Sequence, residues 1–145
     1  AARSGEVRGM AWYEVDFEHK LWTVPGERMK AGKEHRVPLS DAAMQLLESL
    51  KDTKLADTDI VFPSTRDHKP LSDMTLTAVL RRMKRDDITV HGFRSSFRDW
   101  AAEATDYPQE MAEMALAHIV GNKVEAAYRR GDMLEKRRAM MNTVQ

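Results

Sequence analysis

A histidine and an arginine three residues apart mark the segment whose side chains best suit phosphate chemistry. His91-Gly92-Phe93-Arg94 stands at the start of a predicted helix. Residues three apart share a helix face, so an imidazole and a guanidinium at this spacing can both reach one small anion. By itself such a short string more often belongs to a solvated first turn, so it becomes informative only beside other suitable residues.

A second pair of chemically useful side chains lies near the end of the chain. Leu116-Ala117-His118 is expected where a helix gives way to a turn, and Tyr128 follows ten residues after the histidine. A tyrosine on a following short helix could face that histidine. Tyr13 and Tyr107 stand outside this pattern and are interpreted as structural.

Two cationic segments lie in the first third of the chain. Arg3 stands at a predicted helix start, where Glu6 could orient its guanidinium. Lys30 lies in the tip of a predicted hairpin, and Lys33 follows in the same loop. Each feature alone has an ordinary structural explanation, so the order of all of them along the chain decides the interpretation.

In that order the motifs resemble the catalytic domain of the tyrosine recombinases, the phage-integrase family. The second arginine segment, His91 to Trp100, is similar to that of the prophage and genomic-island branch. The similarity covers nearly the whole chain and includes Ala2 to Val7 with Trp12, Met29 to Lys33 with Arg36 to Ser40, and Leu116 to His118 with Tyr128. It implies site-specific DNA recombination and integration.

The resemblance implies cleavage of a DNA phosphodiester without a metal or another cofactor. Tyr128 would be the nucleophile, because a phenol can form a 3′-phosphotyrosine that stores the bond energy. Lys30 would protonate the departing 5′ oxygen as general acid, with Lys33 as the alternative. The histidines also lack the spacing of a metal site.

The remaining predicted site residues would stabilise the charged transition state. Arg3 and Arg94 are forked donors that can hold the nonbridging oxygens of the phosphate. His91 would accept the tyrosine proton or order the phosphate, and His118 would add a hydrogen bond to the same oxygens. The six predicted catalytic residues are therefore Arg3, Lys30, His91, Arg94, His118 and Tyr128.

The resemblance also implies partners and a domain organisation. Residues 1–145 are expected to form a single catalytic domain, a fragment truncated at its N-terminus, with the core-binding and arm-binding domains absent. The partners would be double-stranded DNA attachment sites, and the full-length protein would form a homotetramer on DNA. Two alternatives stay open: a noncatalytic DNA-binding or oligomerisation remnant of an integrase, and DNA relaxation by a type IB topoisomerase-like enzyme.

The elements that position these residues indicate a mainly α fold with a small antiparallel β-sheet, an α+β class. Alternating residues predict strands near Val15 to Phe17, Leu21 to Val24 and His35 to Leu39. Helical periodicity and capping residues predict helices over 4–12 (capped by Ser4), from Ser40 with Leu46 on the apolar face, from Ser72 to about Met83, and over 91–104, 108–117, 124–129 and 132–142.

The last predicted helix, within residues 132–144, is amphipathic and needs a surface to cover. Two outcomes are open for it. It can fold back on its own domain, which carries no association cost. Alternatively, as the family resemblance implies, it can dock in trans on a neighbouring subunit and so link the position of Tyr128 to assembly.

Composition excludes several classes of protein. The chain has 145 residues, 42% of them hydrophobic and none of them cysteine, so disulfides and thiol catalysis are excluded. No apolar run approaches the roughly 20 residues of a membrane span, and we expect a cytoplasmic, nucleoid-associated protein without membrane contact. Net charge is zero, but residues 66–98 carry 8 basic and 4 acidic groups, which favours a localised anion-binding face.

Overall fold

The computed structural model describes residues 1–118 and 131–144; Tyr128 and the helix predicted at 124–129 lie outside these ranges. The described elements are helices, one small sheet and two short 3₁₀ turns, at Trp12–Glu14 and Gly26–Arg28. The helices in the described ranges are α1 (Ser4–Arg8), α2 (Asp41–Lys51), α3 (Asp73–Arg82), α4 (Gly92–Glu103), α5 (Gln109–Ala115) and α6 (Leu134–Thr143).

The sheet lies between α1 and α2 in the chain and, within the described ranges, has three antiparallel strands. Their order is β1 (Val15–Asp16), β2 (Leu21–Val24) and β3 (His35–Pro38). Alternate residues of β2 face the core, so Trp22 and Val24 are buried while their neighbours are partly exposed. Mainly α with a small antiparallel sheet is the class that the sequence predicts, and the structure confirms it.

The first helix is shorter than predicted. It ends at Arg8, because the next residues pair with a distant segment: Val61 N–H donates to the Met10 carbonyl at 2.8 Å. The prediction that Ser4 caps this helix is also wrong. Arg3 occupies the N-cap position, and its backbone N–H donates to the Glu6 carboxylate at 2.7 Å. A tertiary contact and a side chain three residues ahead thus override the local signals.

Among the other local predictions, the Ser40 cap is confirmed, whereas some buried-face and strand-end predictions are wrong. Ser40 caps α2 as predicted, since its hydroxyl accepts from the Ala43 N–H at 3.3 Å. Leu46 and Met83, however, are exposed rather than on buried faces. Phe17 leaves β1, as it turns to stack on the Trp12 ring at a centroid distance of 6.4 Å.

The described residues bury two apolar clusters. One joins the sheet to α2 and the Val61 segment, around Trp22 and Val24. The other joins α4, α5 and α6, around Phe97, Leu116 and Met140. The N-terminus of α4 and the end of α5 lie at the edge of the second cluster, and this arrangement positions the candidate site.

In this single chain, α6 folds back on its own domain, the first of the two alternatives. It packs on β3 and α5, and Met140 is fully buried. Arg137 is 1% exposed and donates to the Arg36 carbonyl at 2.9 Å, while the Arg36 guanidinium forms two hydrogen bonds with the Asp132 carboxylate. An ion-pair cluster therefore fastens the start of α6 to the sheet.

Candidate functional site

The N-terminus of α4 delivers the His91-x-x-Arg94 motif. His91 is the N-cap residue of α4, and the first helical N–H, that of Gly92, donates to Thr89 Oγ1 at 3.0 Å. Arg94 is only 8% exposed and points away from solvent. A helix N-terminus favours anions, so this motif presents both a dipole and a cation to one side of α4.

Two backbone carbonyls orient the Arg94 guanidinium. Its Nη2 donates to the Leu116 carbonyl at 2.7 Å, and its Nη1 donates to the Ala1 carbonyl. Burial, followed by the nearby charge of Arg3, lowers the pKa of Arg94 from its ordinary value. Arginine nevertheless stays protonated in proteins, so the site holds a rigid, desolvated cation.

Arg3 is held by the helix that it precedes. Its Nη1 lies 2.8 Å from Glu6 Oε1, and the same carboxylate accepts the Arg3 backbone N–H. Glu6 is buried, whereas about a third of the Arg3 side chain remains exposed. The acidic residue at this spacing orients the arginine, as the sequence predicts.

A network of hydrogen bonds around Glu14 anchors the loop in which Lys30 lies. The Glu14 carboxylate accepts from Trp22 Nε1 at 3.0 Å and from Arg28 Nη2 at 2.5 Å. Arg28 also donates to the Glu6 carbonyl at 3.1 Å, which ties the hairpin to α1. Lys30 follows two residues later and is exposed, so the anchored part of the loop leaves its side chain accessible to solvent.

A tight turn closes that hairpin. Gly32 adopts φ +65°, a left-handed conformation that glycine reaches without steric cost. A Cβ on Gly26 would lie 2.9 Å from the Gly32 carbonyl oxygen, so only glycine fits there without a shift. Both glycines therefore let the two sides of the loop between β2 and β3 approach each other closely.

The turn after α5 brings His118 to Arg94. Ala117 is left-handed at φ 52°, and the His118 N–H donates back to the Glu113 carbonyl at 2.9 Å. The imidazole then lies between two partners: Nε2 is 3.3 Å from Arg94 Nη2, and Nδ1 is 2.5 Å from Glu113 Oε2. The histidine predicted near the site is thus in contact with its arginine.

Four of the six predicted residues line one pocket of about 550 Å³: Arg3, Lys30, His91 and Arg94. His118 does not line the pocket but contacts Arg94, which does. Tyr128 lies outside the described residues. Lys33 is not among the lining residues. The other lining residues are Ser4, Gly5, Glu6, Glu27, Arg28, Met29 and Val90.

This pocket has the chemistry of a phosphate site. Three arginines and one lysine are among its lining residues, and two glutamates, Glu6 and Glu27, partly offset their charge. Glu6 is already occupied by Arg3. Forked donors in a partly desolvated cleft suit an oxyanion and its more highly charged transition state.

Sequence reasoning missed three residues of this arrangement. Arg28 and Glu14 form an ion pair that spans fourteen residues, and no local spacing announces it. Glu113 precedes His118 by five residues, which is not a helix-face spacing, because the chain turns between them. Only the folded turn brings that carboxylate to the ring.

The remaining sequence interpretations concern tyrosines, metals and membranes. The hydroxyl of Tyr107 lies 3.0 Å from Thr143 Oγ1, a structural contact with α6, whereas Tyr13 is 77% exposed.

Within residues 1–118 and 131–144, no three His, Asp or Glu side chains are grouped to hold a metal ion. In the same ranges no helix is long and apolar enough to cross a membrane.

Comparison with known proteins adds relatives to this geometry. Residues 1–135 match the model of the phage integrase family. The chain is 38% identical over 141 residues to the prophage integrase IntA of Escherichia coli K12, and 36% identical over 156 residues to the integrase of Enterobacteria phage P4. These alignments cover 96% of this chain but only 34% and 35% of the relatives.

The fold has a solved counterpart as well. A crystal structure of XerA recombinase superimposes with a TM-score of 0.68 at 17% identity, covering 99% of this chain and 52% of that one. Low identity with a close superposition shows a shared fold. The chain thus spans about a third of the length of the curated relatives that it matches.

Proposed function

Because the chain belongs to the phage integrase family of tyrosine recombinases, we propose that it cleaves and rejoins DNA strands during site-specific recombination. The observation that carries this proposal is the convergence of Arg3, Lys30, His91 and Arg94 on one pocket. These residues come from α1, the β2–β3 hairpin and α4, so their meeting is a property of the fold. A scissile phosphate is the ligand that this set of donors suits best.

The proposed step exchanges one phosphoester for another. The Tyr128 phenol oxygen attacks phosphorus, a bond forms to the 3′-phosphate, and the bond to the 5′ oxygen breaks. The phenol proton passes to His91, and the departing 5′ oxygen takes a proton from Lys30. Attack by another 5′ hydroxyl on the 3′-phosphotyrosine reverses the sequence and joins new strands without ATP.

The cations in the pocket would stabilise the negative charge on the nonbridging oxygens of the phosphate in the transition state. Arg94 is held in place by carbonyl groups before the substrate arrives, so little reorganisation is needed during the reaction. Arg3 comes from another element, as the N-cap residue of α1, and is held by Glu6. Together the two guanidinium groups can engage both nonbridging oxygens, with His118 adjacent to Arg94.

The whole protein would act on double-stranded attachment sites, as a homotetramer on DNA in the bacterial nucleoid. The relatives are named as prophage and phage integrases, which supports integration of a mobile element as the biological reaction.

A nicked duplex tests the proposal directly. We would incubate the chain, at low salt, with a pool of duplexes randomised around a nick placed so that the cleaved fragment diffuses away. The expected product is a denaturation-resistant protein–DNA adduct, which Tyr128→Phe abolishes without loss of folding. An adduct formed by the Phe variant would overturn the nucleophile assignment.

The same experiment separates the alternatives. A noncatalytic remnant would bind DNA and give no adduct from any sequence in the pool. A topoisomerase-like enzyme would relax supercoiled plasmid as a single subunit, without any need for paired sites. Sequencing the DNA in the adduct would show whether cleavage depends on site.

A further inference from the structure

The His118 ring is held on both of its nitrogen atoms. Arg94 Nη2 lies 3.3 Å from Nε2, and Glu113 Oε2 lies 2.5 Å from Nδ1. A guanidinium has only donors, so Nε2 must accept the hydrogen bond from Arg94. An ionised carboxylate only accepts, so Nδ1 must carry the ring proton. Both partners therefore select the same tautomer of the neutral imidazole.

The Glu113 carboxylate also pairs with an arginine, Arg98. Arg98 Nε lies 2.6 Å from Glu113 Oε1, an ion pair from α4 to α5, while the other oxygen faces His118. Burial opposes ionisation of Glu113, but the His118 hydrogen bond and the Arg98 charge outweigh it and hold the pKa of Glu113 below its ordinary value. The carboxylate is therefore charged at neutral pH and available only as an acceptor.

The backbone adds a second restraint. The left-handed turn at Ala117 returns the chain along α5, and the His118 N–H donates to the Glu113 carbonyl at 2.9 Å. Glu113 thus binds both the main chain and the ring of His118. These two contacts orient the ring so that Nε2 faces Arg94, which lines the pocket.

We propose that Glu113 is a positioning residue for His118: its carboxylate, braced by Arg98, fixes the tautomer and directs Nε2 toward the scissile phosphate. This inference rests on the proposed strand-cleavage function. Carboxylate partners of functional histidines set the tautomer and orientation of the ring. A proton taken from solvent by Nε2 would let that nitrogen donate to a phosphate oxygen while Nδ1–H stays bonded to Glu113.

Histidine-labelled NMR tests the geometry without any DNA. Two-bond proton–nitrogen correlations of the ¹⁵N-histidine chain report which ring nitrogen carries the proton, and His118→Gln identifies the His118 signals. We expect a proton on Nδ1 alone in the wild type and in Glu113→Gln, whose amide oxygen still accepts. Glu113→Leu leaves Arg94 as the remaining partner of the ring, so the Nε2–H tautomer should appear beside the Nδ1–H tautomer. A proton on Nε2 of the free wild-type protein, or a tautomer ratio in Glu113→Leu equal to that of the wild type, would overturn the assignment.

Adduct formation tests the consequence. We expect Glu113→Leu to slow formation of the covalent adduct by about 10- to 100-fold, the range that applies when a metal-ligating histidine loses its carboxylate partner. Glu113→Gln should restore most of the rate. Equal rates for the Leu variant and the wild type, or equal losses for Leu and Gln, would contradict a positioning role.

A matched control and a separate failure criterion complete the design. Glu103→Leu removes an exposed carboxylate from the end of α4 and should leave both the His118 tautomer and the adduct rate unchanged. If the wild type forms no adduct, strand cleavage fails as a function. The NMR result then still decides whether Glu113 positions the ring.

Discussion

Arg94 Nη2 lies 3.3 Å from Nε2 of His118, and this contact joins two segments that are 24 residues apart in the chain. The arginine reaches the histidine because Leu116, two residues earlier, offers its carbonyl to the same Nη2 at 2.7 Å. The end of α5 therefore wraps around the guanidinium. Any change that moves this turn should disturb both residues together.

The first prediction separates the two candidate general acids. Lys30 lines the pocket and Lys33 does not, so Lys30→Ala should slow adduct formation by about 10²- to 10⁴-fold while Lys33→Ala has a small effect. In a substrate with sulfur at the bridging 5′ position, the leaving group is a thiolate, which needs little protonation because thiol pKa values are about 8.5. That substrate should restore most of the rate of Lys30→Ala. Equal defects in both variants, or no recovery with sulfur, would contradict the assignment.

The second prediction concerns binding to DNA. Positive charge is concentrated in residues 66–98, and Arg81 and Arg82 lie exposed in the last turn of α3. Changing both to glutamine should reduce the slope of log affinity against log salt by about 2, one for each lost phosphate contact. Arg85→Gln is the control, since Arg85 is already paired with Asp87 at 2.8 Å. Binding by the wild type that is tight and insensitive to salt would argue against this surface.

The third prediction is a loss of stability in acid. Burial, and then the charge of Arg137, lowers the pKa of His35 to about 4. An unfolded histidine titrates near 6.5, so between these values the unfolded chain binds an additional proton. The stability from the neutral ring is thus complete above about pH 6.5 and is lost as pH falls toward 4. We expect at most about 1.4 kcal/mol per pH unit, less because the ring is partly solvated.

Urea unfolding between pH 7 and pH 4.5 measures this effect. His35→Gln should flatten the pH dependence of the unfolding free energy in this window. His19 provides the control, because its hydrogen bond to the Asp16 carboxylate raises its pKa and it titrates in the opposite sense. A slope that is unchanged in His35→Gln would show that other groups govern acid unfolding.

The fourth prediction concerns the docking of α6 on its own domain. Met140 is fully buried in the cluster shared with α4 and α5, so Met140→Ala should lower the unfolding free energy by about 2–5 kcal/mol. Truncation after Gly131 should also destabilise the chain without changing its association state. Met141→Ala, on a partly exposed neighbour, should cost less. Normal stability of the truncated chain with impaired assembly on DNA would instead support docking in trans.

Much of the local structure follows from residue order alone. Ser40 accepts the N–H of Ala43, β2 alternates buried and partly exposed residues, and His91 stands at the start of α4. These features depend on neighbours within a few residues, which a sequence displays directly. The order of the motifs was likewise sufficient to predict the family and the fold class.

The tertiary structure decided the features that depend on distant partners. The sequence determined which residues bear cations and imidazoles, and which of them stand at helix ends. It did not determine that Arg28 would pair with Glu14, that α1 would stop where Met10 meets Val61, or that Glu113 would hold His118. Periodicity encodes which face of an element is apolar, whereas an ion pair across elements depends on how those faces pack. The carboxylates that orient the site therefore became visible only once the chain was folded.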